Sequence, residues 1–240
     1  MHSDHLLRTA RRRRNPADRN GRSVGREDSR FCRPLFDFRE DLTLLRELGW
    51  DFVDRTTLLD ALEEPGRLRA PAAVITFDDA YGSLVREALP VLTEVGAPSV
   101  VFVPTDYVGG FNTFDAGEEP DEPICSWDDL ATLARGGVSI QSHGVHHAAM
   151  SDLDPSEQRI ELEASRRALE AGMGTTIDLF AFPYGDAGTD PAAMAHAVRA
   201  AGYRAAFGYG GGPADLGADD PYCLPRLAMG PDTDLAELLA

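Results

Sequence analysis

Strand-like and helix-like segments alternate about six times along this chain, and no other feature limits its fold as much. Phe38, Leu42, Leu45 and Leu48 recur at helical spacing, and Gly49 can end that helix. An apolar run at 72–77, behind Pro71, reads as a strand, and so does Ser99–Val103. The helix expected between them, over 83–94, carries Pro90 in its interior and closes at Gly96. Ser126-Trp127-Asp128-Asp129 opens the next helix, Gly136-Gly137 ends it, and Val138–Ser142 follows as a strand. Asp154-Pro155-Ser156-Glu157 combines a capping aspartate, a first-turn proline and a glutamate three residues on; its helix is expected to reach Gly172. Strands at 179–182, 203–207 and 223–228 complete the series, with a helix from Asp190-Pro191 to Gly202 after the first of them. Repetition of this kind predicts a parallel sheet with crossover helices, either doubly wound or closed into a barrel. No glycine-rich phosphate loop follows the first strand, which weighs against a nucleotide site. In both arrangements ligands gather beyond the carboxyl ends of the strands.

The 240 residues suffice for one large domain with a substantial core, or for two small ones. Charge divides them unevenly. The formal net charge is −17, yet residues 1–33 hold ten arginines against four acids, so this segment carries +6 and the remainder −23. So acidic a body is a poor partner for nucleic acid. Residues 1–33 are polar and aperiodic and are read as a disordered tail, with 34–240 as the domain. An arm for nucleic acid or an anionic surface is the sharper alternative for that tail. Cys32, Cys125 and Cys223 are odd in number and widely spaced, against a disulfide framework and against a zinc knuckle. No stretch approaches the ~20 apolar residues of a membrane span. Nor does an apolar run follow Arg11–Arg14 as an export signal requires, so a cytoplasmic location is expected.

Candidate chemistry falls at the strand ends. Asp78-Asp79 ends the 72–77 run, His143 ends Val138–Ser142, and His147 follows four residues later. Carboxylate and imidazole together are the ligand set of a borderline divalent metal, and a further carboxylate beside them can act as a base. Taken singly, each signal has a plainer explanation. Acidic pairs after strands cap helices, H-x-x-x-H spacing is usually incidental, and His146 is read as a neighbour. Phe182-Pro183-Tyr184-Gly185 is either a turn that ends a strand or a rigid turn that presents the Tyr184 N–H to a developing oxyanion. Arg226 is either one half of a surface ion pair or the cation that keeps a base carboxylate ionised and oriented. Phe111, Phe114 and Trp127 are core by default, and otherwise line a sugar groove.

Together these segments resemble the polysaccharide deacetylase family, the NodB-homology domain of carbohydrate esterase family 4, from about Phe36 to the C-terminus. Thr76-Phe77-Asp78-Asp79 matches the first motif, with Ala80 where glycine is usual. Ser142-His143-Gly144-Val145-His146-His147 matches the second, with Gly144 in place of serine or threonine, and Phe182-Pro183-Tyr184-Gly185 matches the third. Trp127-Asp128-Asp129-Leu130 is also similar to the family.

The resemblance implies an α/β fold, a distorted (β/α) barrel of seven or eight strands. Its usual strand before the Phe38 helix is not recognisable in the arginine-rich tail, so the barrel reads as incomplete at its N-terminus. It implies Asp79, His143 and His147 as ligands of a divalent metal, Zn2+ first, with Co2+, Mn2+ and Ni2+ suited to the same donors. Asp78 becomes the general base and the Tyr184 N–H an oxyanion donor. Arg226 stands in for an arginine that often precedes the Pro-Tyr motif, where this chain has Ala181. The expected substrate is an acetylated glycan that loses N-acetyl, or less often O-acetyl, groups. The family's late Leu-x-His is here Leu227-Ala228-Met229, and His196 reads as a solvated mid-helix residue, so no general acid is assigned. Two alternatives accompany this reading: a hydrolase of small non-sugar amides or cyclic imides, and an inactive barrel that binds glycan. No oligomeric state follows from the sequence.

Overall fold

The computed structural model describes residues 5–6, 8–10, 35–68, 71–117, 120–230 and 233–239. Seven strands form a closed barrel. They are β1 (Arg8–Ala10), β2 (Ile75–Phe77), β3 (Ser99–Val103), β4 (Val138–Ser142), β5 (Leu179–Ala181), β6 (Ala205–Gly211) and β7 (Leu224–Met229). Each pairs in parallel with the next, and β7 pairs in parallel with β1, so the ring follows chain order. The expected barrel is therefore present. Its helices are α1 (Leu35–Glu47), α2 (Arg55–Glu63), α3 (Leu89–Val95), α4 (Trp127–Arg135), α5 (Pro155–Met173), α6 (Pro191–Ala200) and α7 (Leu235–Leu239).

Strand alternation builds two cores. On β3, Val100 and Phe102 join a cluster with Leu179, Ala181, Ala205, Phe207 and Leu224, which fills the barrel interior. Val101 and Val103, one residue out of step, join the outer cluster against the helices. Leu58 and Leu59 of α2 belong to the inner cluster, and Arg55 of the same helix bonds Asp178, just ahead of β5. Helix α2 thus closes the end of the barrel where the strands begin. The other end is left to polar groups.

Local chemistry explains the element boundaries. Ser126 with Asp129 and Asp154 with Glu157 form reciprocal capping boxes at the starts of α4 and α5. Pro90 lacks an N–H and would crowd the carbonyl four residues earlier. The preceding turn, Leu84–Ala88, accordingly widens to π geometry, and the Leu89 N–H reaches back to Leu84 O. The 72–77 run is two strands: Ala72–Ala73 pairs with Asp51–Phe52 in a separate ladder, and only Ile75–Phe77 enters the barrel. Between β4 and β5 the ladder registers at Ser142 with Phe180, and the Gln141 side chain accepts from the Asp178 and Leu179 amides in its place.

Within the segment read as a tail, His5–Leu6 and Arg8–Ala10 are strands. Arg8–Ala10 lies between β7 and β2 and supplies the strand missing from the sequence reading. The rest of 1–34 lies outside the described residues. No helix among the described residues is long and apolar enough to cross a membrane.

Candidate metal centre

Asp78 and Asp79 leave the carboxyl end of β2, His143 leaves β4, and the Pro183–Gly185 turn leaves β5. Barrel closure brings the first two segments together. Donor atoms of Asp79, His143 and His147 all lie within 4.8 Å of one another, and all three residues are buried. His147 Nε2 stands 3.0 Å from Asp79 Oδ1, and His143 Nε2 stands 3.4 Å from it. Among the described residues, no other group of histidine, cysteine and carboxylate side chains converges in this way.

The two imidazoles are held by different means. His143 Nδ1 lies 2.7 Å from the Ala181 carbonyl. That contact fixes the orientation of the ring and turns Nε2 toward Asp79. His147 Nδ1 is buried and has no hydrogen-bond partner among the described residues. Its ring is fixed by packing: Phe114 stacks on it at 4.2 Å, and Tyr184 meets it edge-on at 4.7 Å. Two imidazoles and a carboxylate, buried and mutually within reach, suit a divalent cation.

Backbone strain collects at this end of the barrel. The non-glycine residues with positive φ among the described ones are Asp79, Ala80, His147 and Tyr184. Such conformations cost of order 1–3 kcal/mol each and persist only where the surroundings impose them. Ala80, at φ +55°, occupies the position where the family usually has glycine.

Asp78 points to a different partner. Arg226 Nη1 and Nη2 donate to its two carboxylate oxygens at 2.8 and 2.9 Å, a two-pronged contact. Burial would raise the Asp78 carboxyl, but the Arg226 guanidinium, with help from His143, holds it below the usual carboxylate range. Burial likewise opposes ionisation of Asp79, and hydrogen bonds from His143 and His147 outweigh it, so this carboxyl too is depressed. For His143, burial disfavours the charge, but the bond to Asp79 prevails and raises its pKa.

Arg226 corrects the sequence reading in one respect. It lies within β7 rather than at a strand end, and it is fully buried, so it is no surface ion pair. Its side chain runs inside the barrel. Nε donates to the Gly208 carbonyl at 2.7 Å, Nη1 also reaches Thr76, and the guanidinium lies over the Phe102 ring at 5.5 Å. A bulge makes room for this: Phe207 pairs with Leu224 but Gly211 with Arg226, so the intervening stretch of β6 departs from the ladder.

Tyr184 is more than half exposed beside His147. Phe114 belongs to the site rather than to the core alone, Phe111 is exposed, and Trp127 lies across Gly172 of α5. Met229 is buried in the outer core and His196 is exposed on α6, so neither place supplies an acid to the site. Sequence reasoning missed Glu161. It is buried on α5 and accepts from the Val145 and His146 amides at 2.6 and 3.1 Å. The available signal was its register with Ser165 and Leu169, four and eight residues on, which face inward.

Comparison with known proteins places this geometry. The fold resembles the Streptococcus pyogenes deacetylase PplD in complex with acetate, with a TM-score of 0.78 and 18% identity over 99% of this chain and 97% of that one. It also resembles IcaB from Ammonifex degensii, with a TM-score of 0.73 and 25% identity over 95% and 93% of the two chains. In sequence, YxkH of Bacillus subtilis (strain 168), which carries the name of a polysaccharide deacetylase, is 22% identical over 152 residues, 63% of this chain. The chain spans about half the length of that relative. The polysaccharide deacetylase family model matches residues 66–206, more than half of the 240 residues, and the chain belongs to that family.

Proposed function

We propose that this protein is a metal-dependent hydrolase that removes N-acetyl, or O-acetyl, groups from an acetylated glycan. The observation that carries the proposal is the convergence of Asp79, His143 and His147 beside an aspartate clamped by a buried arginine. In this reading Asp79, His143 and His147 hold a divalent cation, and Zn2+ suits the donor set best. Such an ion supplies Lewis acidity, polarising a carbonyl oxygen and making water easier to deprotonate.

The protein's own groups do the rest. Asp78, kept ionised by Arg226, accepts the proton of the attacking water. The two-pronged bond also fixes the direction of its free lone pairs. The Pro183–Gly185 turn ties down two of its amides, Gly185 N–H to Phe182 O and Asp186 N–H to Pro183 O. The Tyr184 amide is then the one assigned to the oxyanion, a donor type whose loss costs ~10²–10³ in rate. Met229 has no proton to donate and His196 is exposed on α6, so the proton taken by Asp78 is the one at hand for the departing amine. Phe114 and Tyr184 flank His147 and exclude water around the reacting group.

Acetate release tests the reading. Purified protein given zinc should release acetate from acetylated oligosaccharides, lose that activity to a chelator, and leave small cyclic amides intact. Chelator-insensitive release, or a preference for the cyclic amides, overturns it. Asp78→Asn should lower turnover by ~10²–10⁴ while zinc still binds.

A further inference from the structure

We propose that Glu161 is a positioning residue for the metal centre, its carboxylate setting the backbone of the 144–147 loop and with it the place of the His147 ring. The inference rests on reading Asp79, His143 and His147 as metal ligands.

A buried carboxylate must find donors. Glu161 is 3% exposed, and every hydrogen bond into its carboxylate among the described residues comes from one loop. Oε2 takes the Val145 and His146 amides, and Oε1 lies 2.5 Å from His146 Nδ1. The loop has been shaped around that carboxylate. Gly144 adopts φ +83°, and a Cβ built there would come within 2.8 Å of Glu161 Oε2. The carboxylate thus occupies the space where a side chain on residue 144 would go.

The two ligand histidines need this support unequally. His143 follows directly from β4, and its ring is tied to the Ala181 carbonyl. His147 lies four residues further, at φ +54°, with no hydrogen bond to Nδ1 among the described residues. Its position therefore depends on the packing of Phe114 and Tyr184 and on the backbone that carries it. Glu161 fastens that backbone one and two residues earlier. The fastening point is itself firm. Ser142 Oγ donates to Ser165 Oγ at 2.8 Å, Tyr203 donates to the Leu162 carbonyl at 2.9 Å, and Arg166 Nε donates to the Ile177 carbonyl at 2.9 Å, all tying α5 to the barrel. A metal ligand set by a rigid outer support is the arrangement whose loss typically costs ten- to a hundredfold in metal affinity.

The test titrates zinc chloride into chelator-stripped protein against a chromogenic competitor. Glu161→Gln keeps the size of the side chain but puts an NH2 group where an acceptor oxygen stood. Its Kd for zinc should rise by about ten- to a hundredfold. Its kcat should fall with KM unchanged. His146→Ala removes the ring's contacts with Glu161 and Asp106 but leaves both backbone amides on the carboxylate, and should raise the Kd by about threefold. A zinc Kd equal to wild type in folded Glu161→Gln overturns the proposal, even if that variant melts at a lower temperature. If Glu161→Gln does not fold, His146→Ala and Glu161→Asp decide the matter, and wild-type affinity in both overturns it. Wild-type protein that binds zinc no better than Asp79→Ala instead brings down the metal reading itself.

Discussion

The two ends of the barrel are built on opposite principles. Where the strands begin, Leu58 and Leu59 of α2 seal the interior against Val100, Leu179 and Ala205, all apolar and in ordinary conformations. Toward the ends of the strands, Asp79, His143, His147 and the Arg226 side chain are buried together beside a partly buried Asp78, and Asp79, Ala80, His147 and Tyr184 hold left-handed backbone. One end stabilises the ring, and the other stores unfavourable burial and strain that the ring must offset. A large apolar closure at one end is what permits a tense polar site at the other.

This division is open to direct attack. The largest effect is expected for Asp79→Ala, which should abolish zinc retention and lower acetate release by about a thousandfold or more, the weight of several kcal/mol of lost charge stabilisation. Calorimetry of the metal-free variant should show a melting temperature near wild type; a collapse of the fold would erase the contrast between the ends. Leu58→Ala should do the reverse. Denaturant unfolding should show a loss of about 2–5 kcal/mol, the usual toll of a buried leucine, with the zinc Kd of the folded protein unchanged. A change in that Kd would mean that the two ends are coupled.

Arg226 spans both territories, so its replacement sharpens the comparison. In Arg226→Met the opposing effect of burial on Asp78 is left unbalanced, and that carboxyl should rise. Activity needs the ionised form and fails as pH falls through this value. The acid limb of the pH–rate profile should therefore move to higher pH by at least about one unit, or 1.4 kcal/mol. An unmoved limb would remove Asp78 from the role of base. The same sign governs stability. A carboxyl depressed in the fold stabilises it above the unfolded value of about 3.9, and that support fades as pH falls through the folded value. The smallest effect is expected for Ala80→Gly. Relief of about 1–2 kcal/mol of left-handed strain is largely offset by the freer unfolded chain and a lost buried methyl, so stability should change by less than about 1 kcal/mol.

Much of this architecture was legible in the sequence, for local reasons. β3 carries a contiguous apolar run, β4 alternates Val138 and Ile140 with polar residues, and the capping residues of α4 and α5 announce their own helices. Asp78-Asp79, His143 and His147 stood out because they follow strand ends, and the resemblance to the family singled out Asp79, His143 and His147 as the set that the structure brings together. What escaped depends on distant partners. Arg8–Ala10 has no apolar alternation and is defined by the strands on either side of it. Arg226 looks like any cation in an acidic chain until β6 and Asp78 enclose it. Glu161 sits among the other acids of α5, Glu157, Glu163 and Glu170, and only its facing loop sets it apart.

Chain order adds a schedule to this geometry. A nascent polypeptide delivers residues 79, 143 and 147 well before residue 226 is made. Asp78 can therefore gain its counter-charge only once the final strand is in place. The strand that closes the ring is thus also the one that completes the Asp78–Arg226 pair.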